Sequence, residues 1–176
     1  MENKNSYCAL VRHLDKEHLH RIYHDTQYGF PLSDDNELFG RLILEINQAG
    51  LSWLTILKKE QNFRIAYANF DVNLVSKFND DDISRLLLDK GIIRNKLKIN
   101  AIIFNAQVII TIQKKYGSFK KWLDFNHPKE RKEWVKLFKK TFKFTGGEIT
   151  NEFLMSTGYL EGAHEKSCPI YKKLNT

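Results

Sequence analysis

The chain has two cysteines, and each stands near a histidine: Cys8 precedes His24 of the stretch RIYHDTQYG, and Cys168 follows His164 in GAHEKSC. Two thiols and two imidazoles are a donor set for a structural zinc ion, which takes four sulfur and nitrogen ligands tetrahedrally. An H-x3-C spacing on one helical turn would present both side chains to one ion, whereas the fifteen residues between Cys8 and His24 match no finger motif. Free thiols, metal ligands and a disulfide closing the chain all stay open on the count alone, with thiols or ligands favoured in a reducing compartment. His13, His18, His20 and His127 show that a lone histidine signifies little here.

A second stretch, LEINQAGLSW, places Glu45 beside Leu38 and Ala49 on a helical wheel, at the edge of an apolar stripe. A carboxylate there is either paired or functional. One reading is an i, i+4 pair with Arg41; the other is a carboxylate aimed into a pocket, with Trp53 as a flat aromatic wall. A third stretch, LLLDKGIIRNKLKINAI, reads as helix, tight turn at Gly91 and helix. A glycine there allows a sharp turn and leaves the amides of Ile92, Ile93 and Arg94 at the start of the next helix, where they can hold a phosphate. Arg94, Lys96 and Lys98 can each neutralise one. This is the logic of a helix-hairpin-helix grip on DNA, although helix, glycine, helix is also an ordinary way to end one helix and begin another. The aspartate that follows the second helix in a generic member of the hairpin superfamily has no counterpart, Asp124 lying too far along.

The elements that must position these residues are helical. DDNELFGRLILEINQAG, capped by Ser33 or Asp34, carries Leu38, Phe39, Leu42, Ile43, Ile46 and Ala49 on one face and stops at Gly50. SWLTILKKEQNFRIAYANF opens with Ser52 as a cap. DDDISRLLLDKG begins at an acidic turn suited to a helix dipole and ends at Gly91. NKLKINAIIFNAQVIITIQKKYG is apolar nearly all round, as a central buried helix must be, and ERKEWVKLFKKTFKF sets Trp134, Leu137, Phe138 and Phe142 on one stripe with lysines mostly elsewhere. No segment alternates like a strand. The expectation is an all-α fold.

With 176 residues, three prolines, no linker and no repeat, residues 1–176 read as a single unit able to bury a real core. No apolar run approaches the length of about 20 residues that a membrane span needs, and MENKNSYCAL has no leader pattern, so a cytoplasmic protein without a membrane partner is expected. Residues 1–88 carry 10 Lys and Arg against 13 Asp and Glu, and residues 89–176 carry 18 against 8, which yields the overall +7. The basic half faces a polyanion or is a lysine-rich solvated surface; charge alone does not separate the two.

Taken in order, YHDxxYG, ExNQAGLSW, GIIRNxxKI and the terminal H-x3-C resemble the bacterial DNA-3-methyladenine glycosylase type I family over nearly the whole chain. The resemblance implies a helix-hairpin-helix DNA glycosylase fold, with the hairpin around residues 83–105. It implies an enzyme that flips 3-methyladenine out of double-stranded alkylated DNA and hydrolyses its glycosidic bond, leaving an abasic site. It further implies a structural zinc on Cys8, His24, His164 and Cys168 that joins the terminal segments. By the same likeness Glu45 is the pocket carboxylate and catalytic group, while Tyr23, Trp53 and Tyr28 contact the base. From the hairpin reading, Gly91, Ile92, Ile93, Arg94, Lys96 and Lys98 are expected to meet the DNA backbone, and a monomer is expected. Departures fall at Leu10, His20 and Tyr28, where relatives often have other aromatics, and around Gly147, Glu148 and Asn151; they bear on the lesion spectrum more than on the fold. The alternatives are a non-catalytic zinc-containing hairpin protein that only binds DNA, a glycosylase with a shifted alkyl-base spectrum, and a helical domain whose basic face meets an acidic protein.

Overall fold

The computed structural model describes residues 6–175. These form α1 (Tyr7–Arg12), α2 (Leu19–Thr26), α3 (Asp35–Gln48), α4 (Trp53–Ala66), α5 (Val72–Val75), α6 (Asp80–Leu88), α7 (Lys96–Tyr116), α8 (Phe119–Asn126), α9 (Arg131–Thr141), α10 (Gly147–Ser156) and α11 (Pro169–Leu174), with no strand among the described residues. The all-α expectation holds. Among the described residues no helix is long and apolar enough to cross a membrane.

Two compact units are present, one made of Met1–Pro31 with Leu154–Thr176 and the other of Leu32–Phe153. The first is discontinuous in sequence, so no linker composition announces it. In the larger unit α7 is the central helix, with Ile99, Ile102, Ala106 and Ile109 fully buried and α3, α5, α6 and α8 packed on it.

Local chemistry explains the boundaries. The Asp34 side chain accepts from the Glu37 amide to start α3, and Ser52 does the same for Thr55 at the start of α4. Asn79 and Asp82 form a reciprocal capping box at α6, with Asp80, Asp81 and Asp82 at the positive end of that helix. Asp35 accepts from the amides of Phe119 and Lys120 at 2.7 and 2.9 Å, which ties the start of α3 to the start of α8.

Two local expectations are corrected. α6 ends at Leu88 and α7 begins at Lys96, capped by Asn95, so Ile92, Ile93 and Arg94 belong to the connection and not to the first turn of the second helix. His164 and Cys168 do not sit on a helical turn: residues 161–168 form turns, and Cys168 is the residue that precedes α11. Pro169 at the first position of α11 explains why no helix extends back through the motif.

Candidate active site and metal centre

In the smaller unit, α1 supplies Cys8, α2 supplies His24, and the turn before α11 supplies His164 and Cys168; all four side chains are buried. One ligand atom from each lies within 4.8 Å of the others. Cys8 Sγ stands 3.3 Å from His24 Nε2 and 3.8 Å from His164 Nδ1, Cys168 Sγ stands 3.8 and 3.9 Å from the same nitrogens, and the two nitrogens are 3.1 Å apart. A tetrahedral ion with bonds of about 2.0–2.3 Å would separate such atoms by roughly 3.3–3.8 Å.

The surrounding hydrogen bonds fix which nitrogens face the centre. His24 Nδ1 lies 2.7 Å from Asp25 Oδ1 and His164 Nε2 lies 2.7 Å from the Tyr28 carbonyl. Each of those nitrogens must carry the hydrogen, which turns the lone pairs of His24 Nε2 and His164 Nδ1 toward each other. Burial holds His164 below the ordinary imidazole value, so it stays neutral. The Glu165 amide donates to Cys8 Sγ at 3.4 Å. Burial pushes the Cys8 thiol up to about 11, so a thiolate forms there at neutral pH only if a cation replaces its proton. Two lone pairs and two sulfurs converging on one point are a donor set that fits a metal ion. A cavity of about 350 Å³ lined by Arg12, Arg21, Cys8, His24 and Cys168 gives such an ion a path.

Gly29 closes this corner. Its φ is +78°, and a Cβ would come 2.9 Å from Ala163 Cβ and 3.2 Å from His164 Cδ2, so the glycine of YHDTQYG is required by both backbone and space. Tyr23 and Tyr28 are buried in the same unit, with ring centroids 5.7 Å apart and Tyr7 edge-on to Tyr28. Sequence reasoning gave no role to Asp25, the Tyr28 carbonyl or Glu165; only Asp25, adjacent to His24 in YHD, left a readable signal.

In the larger unit, Glu45 lies in the last turns of α3 and is 3% exposed. It makes no hydrogen bond or ion pair among the described residues, so the i, i+4 pair with Arg41 does not form. Burial raises its carboxyl to about 8, partly offset by the Arg41 charge through space and reinforced by Glu152. Trp53, half-buried, opens α4 immediately after the Ser52 cap, five residues past the end of α3 at Gln48.

The α6–α7 connection is built around Gly91. Its amide donates to Asp89 Oδ1 at 2.7 Å, and its carbonyl accepts from Lys59 Nζ at 3.0 Å and Asn62 Nδ2 at 3.3 Å. A Cβ there would meet Asp89 Oδ1 at 2.9 Å and Asn62 Cβ at 3.2 Å. The amides of Ile92, Ile93 and Arg94 donate to nothing among the described residues, Arg94 and Lys96 are exposed, and Ile92 is buried. Lys98 is placed differently from the expectation. It is 4% exposed, and its ammonium donates to the Asn47 and Ala49 carbonyls at 2.9 and 2.8 Å. Those carbonyls end α3, so Lys98 ties α7 to the turn between Glu45 and Trp53 and is not a phosphate ligand in this conformation.

Comparison with solved structures places the fold first. A 3-methyladenine DNA glycosylase I from Staphylococcus aureus superposes with a TM-score of 0.80 at 33% identity, covering 89% of this chain and 93% of that one. A 3-methyladenine DNA glycosylase I solved in complex with 3-methyladenine gives the same TM-score and identity, over 89% and 94% of the two chains. Among curated proteins, DNA-3-methyladenine glycosylase 1 of Escherichia coli is 33% identical over 177 residues, 90% of this chain and 94% of its own. The model of the methyladenine glycosylase family matches residues 13–136, and the chain belongs to that family.

Proposed function

We propose that this chain excises 3-methyladenine from alkylated double-stranded DNA, releasing the free base and leaving an abasic site. The observation that carries the reading is Glu45: a buried carboxyl without a partner is costly, and it persists where a ligand supplies the missing partner. Methylation at N3 makes the lesion cationic, so its glycosidic bond is weak and the base departs with the bonding electrons as a neutral molecule. Little general-acid help is needed. Water adds its oxygen to the sugar C1′ and gives up a proton to solvent.

The residues act on binding and discrimination. Glu45 accepts from the exocyclic amine and stabilises the positive charge in a poorly solvated setting, where charge interactions are stronger than in water. Trp53 stacks on the ring with a cation–π contribution that normal adenine lacks. Tyr23 and Tyr28 are assigned to the base on the family resemblance. The free amides of Ile92, Ile93 and Arg94, with the side chains of Arg94 and Lys96, make a helix-hairpin-helix contact to a phosphate. Zinc is the ion that best suits two sulfurs and two nitrogens; Cys8, His24, His164 and Cys168 would hold it, and bound there it supplies structure, not a reaction step. A monomer working on genomic DNA in a reducing cytoplasm agrees with these assignments and with two free cysteines.

The test is chromatographic identification of the bases freed from methylated DNA. Wild type should release 3-methyladenine well above the spontaneous rate, and Glu45→Gln should release it about 100- to 1,000-fold more slowly, the usual loss when a preorganised electrostatic group is removed. Wild-type release at the spontaneous rate would end the proposal.

A further inference from the structure

α9 carries lysines at positions 132, 136, 139 and 140, all exposed. On a wheel they fall within one arc, opposite the buried Trp134 and Phe138. None has a hydrogen-bond, ion-pair or ring partner among the described residues. The acidic residues of this segment are engaged elsewhere: Glu130 and Glu133 form the capping box at the start of α9, and Glu148 pairs with Arg131 at 2.7 Å. Like charges at i, i+4, as in Lys132/Lys136 and Lys136/Lys140, destabilise a helix, and the helix dipole rewards only the lysines of the last turn. Lys132 and Lys136 gain nothing from the fold.

The segment after α9 fixes where that helix ends. The corner that follows it docks on α7: the Lys143 amide donates to Asn105 Oδ1 at 2.8 Å, and Asn105 Nδ2 donates back to the Lys143 carbonyl at 3.0 Å. Lys143 Nζ lies 4.1 Å from the Phe104 ring centre, and Lys98 Nζ lies 5.8 Å from that of Phe144. The end of α9 therefore abuts the same half of α7 that leads out of the hairpin connection. From Lys96 to Asn105 the helix rises about 14 Å, which is close to four base pairs of duplex.

We infer that the exposed lysine face of α9 is a second DNA-backbone surface, gripping the phosphates of the duplex that flanks the lesion. It rests on the DNA glycosylase reading and adds to it a contact that the hairpin does not make. The surface is electrostatic and blind to sequence, so it lengthens the footprint and steepens the salt dependence without touching base selection.

The experiment measures binding of the purified protein to a duplex of about 20 base pairs bearing a stable abasic analogue, as a function of salt. Lys132→Gln/Lys136→Gln and Lys139→Gln/Lys140→Gln are compared with wild type, glutamine being a good helix former and thermal melting checking the fold. Each pair should flatten the slope of log K against log salt by one to two, and the four together by two to four. Release of free 3-methyladenine at saturating DNA should be unchanged. A wild-type slope in both folded variants overturns the inference and leaves the face to another polyanion, such as an acidic protein. A wild type that neither excises nor binds DNA refutes the glycosylase reading itself, and the two failures are therefore told apart.

Discussion

Glu45 is the residue whose chemistry leaves the clearest trace in pH. Its carboxyl stands near 8 in the fold against an ordinary value of 4.5. Below 4.5 both folded and unfolded chains hold that proton, and the group costs nothing. Between the two values the fold keeps a proton that the unfolded chain releases, so stability falls as pH rises across this window, by on the order of 5 kcal/mol in total. Glu45→Gln cannot ionise and should escape the loss. Its stability gain over wild type, measured by chemical denaturation at pH 5, 7 and 9, is expected to grow with pH and level off above 8. A gain independent of pH would mean that another group sets the cost. Activity should show the same value from the other side: if the carboxylate receives the cationic base, kcat/KM rises about tenfold per pH unit below 8 and flattens above it. The helical wheel drew attention to Glu45 but left Arg41 pairing and pocket exposure equal, because both place the carboxylate at the stripe's edge. Only the side-chain contacts decide between them.

At the scale of elements, the long helices were readable because their signals are redundant. α3 combines a cap, an apolar face and a stop, α4 opens at a serine cap and α7 is a long apolar run, and their limits fall within a few residues of expectation. α1, α5 and α11 are too short to show a period, and α10 begins at a pair of glycines, where no side chain can cap. Lys98 illustrates a different limit. Lysine in a basic hairpin reads as a phosphate ligand, yet here its stem is buried and its head caps the end of α3. Which way a flexible side chain turns is decided by carbonyls some fifty residues away, and local sequence does not record them. The two roles separate by experiment. Lys98→Gln should cost about 1–3 kcal/mol of stability by leaving the α3 carbonyls less well satisfied. It should slow excision by misplacing Glu45 and Trp53 while leaving the salt slope of DNA binding unchanged. Arg94→Gln should do the reverse, flattening the slope by about one with stability intact. A flattened slope for Lys98→Gln would restore it to the backbone contacts.

For the molecule as a whole, the four soft ligands lie in the smaller unit, and that unit is assembled from both ends of the chain. Its buried set is poor in aliphatic side chains: Val11 and Leu154 stand among Cys8, Tyr23, His24, Tyr28, Thr157, His164 and Cys168. The larger unit, by contrast, buries the isoleucines of α7 and the leucines of α3. Small units with little apolar core depend on a staple, and closing a loop between residues 8 and 164 is the kind of constraint a metal supplies. Removing the proposed metal should therefore act unevenly. After prolonged chelation, amide hydrogen exchange is expected to lose protection across α1, α2 and the segment from His164 to α11, while α3, α4 and α7 keep theirs. Cys168→Ser should reproduce the pattern, with excision falling no further than the population of the opened unit requires. Uniform loss of protection would show that the two units unfold as one. Full protection in metal-free protein would show that the cluster holds together without an ion, and excision abolished in a stable Cys168→Ser protein would give the cluster a part in the chemistry.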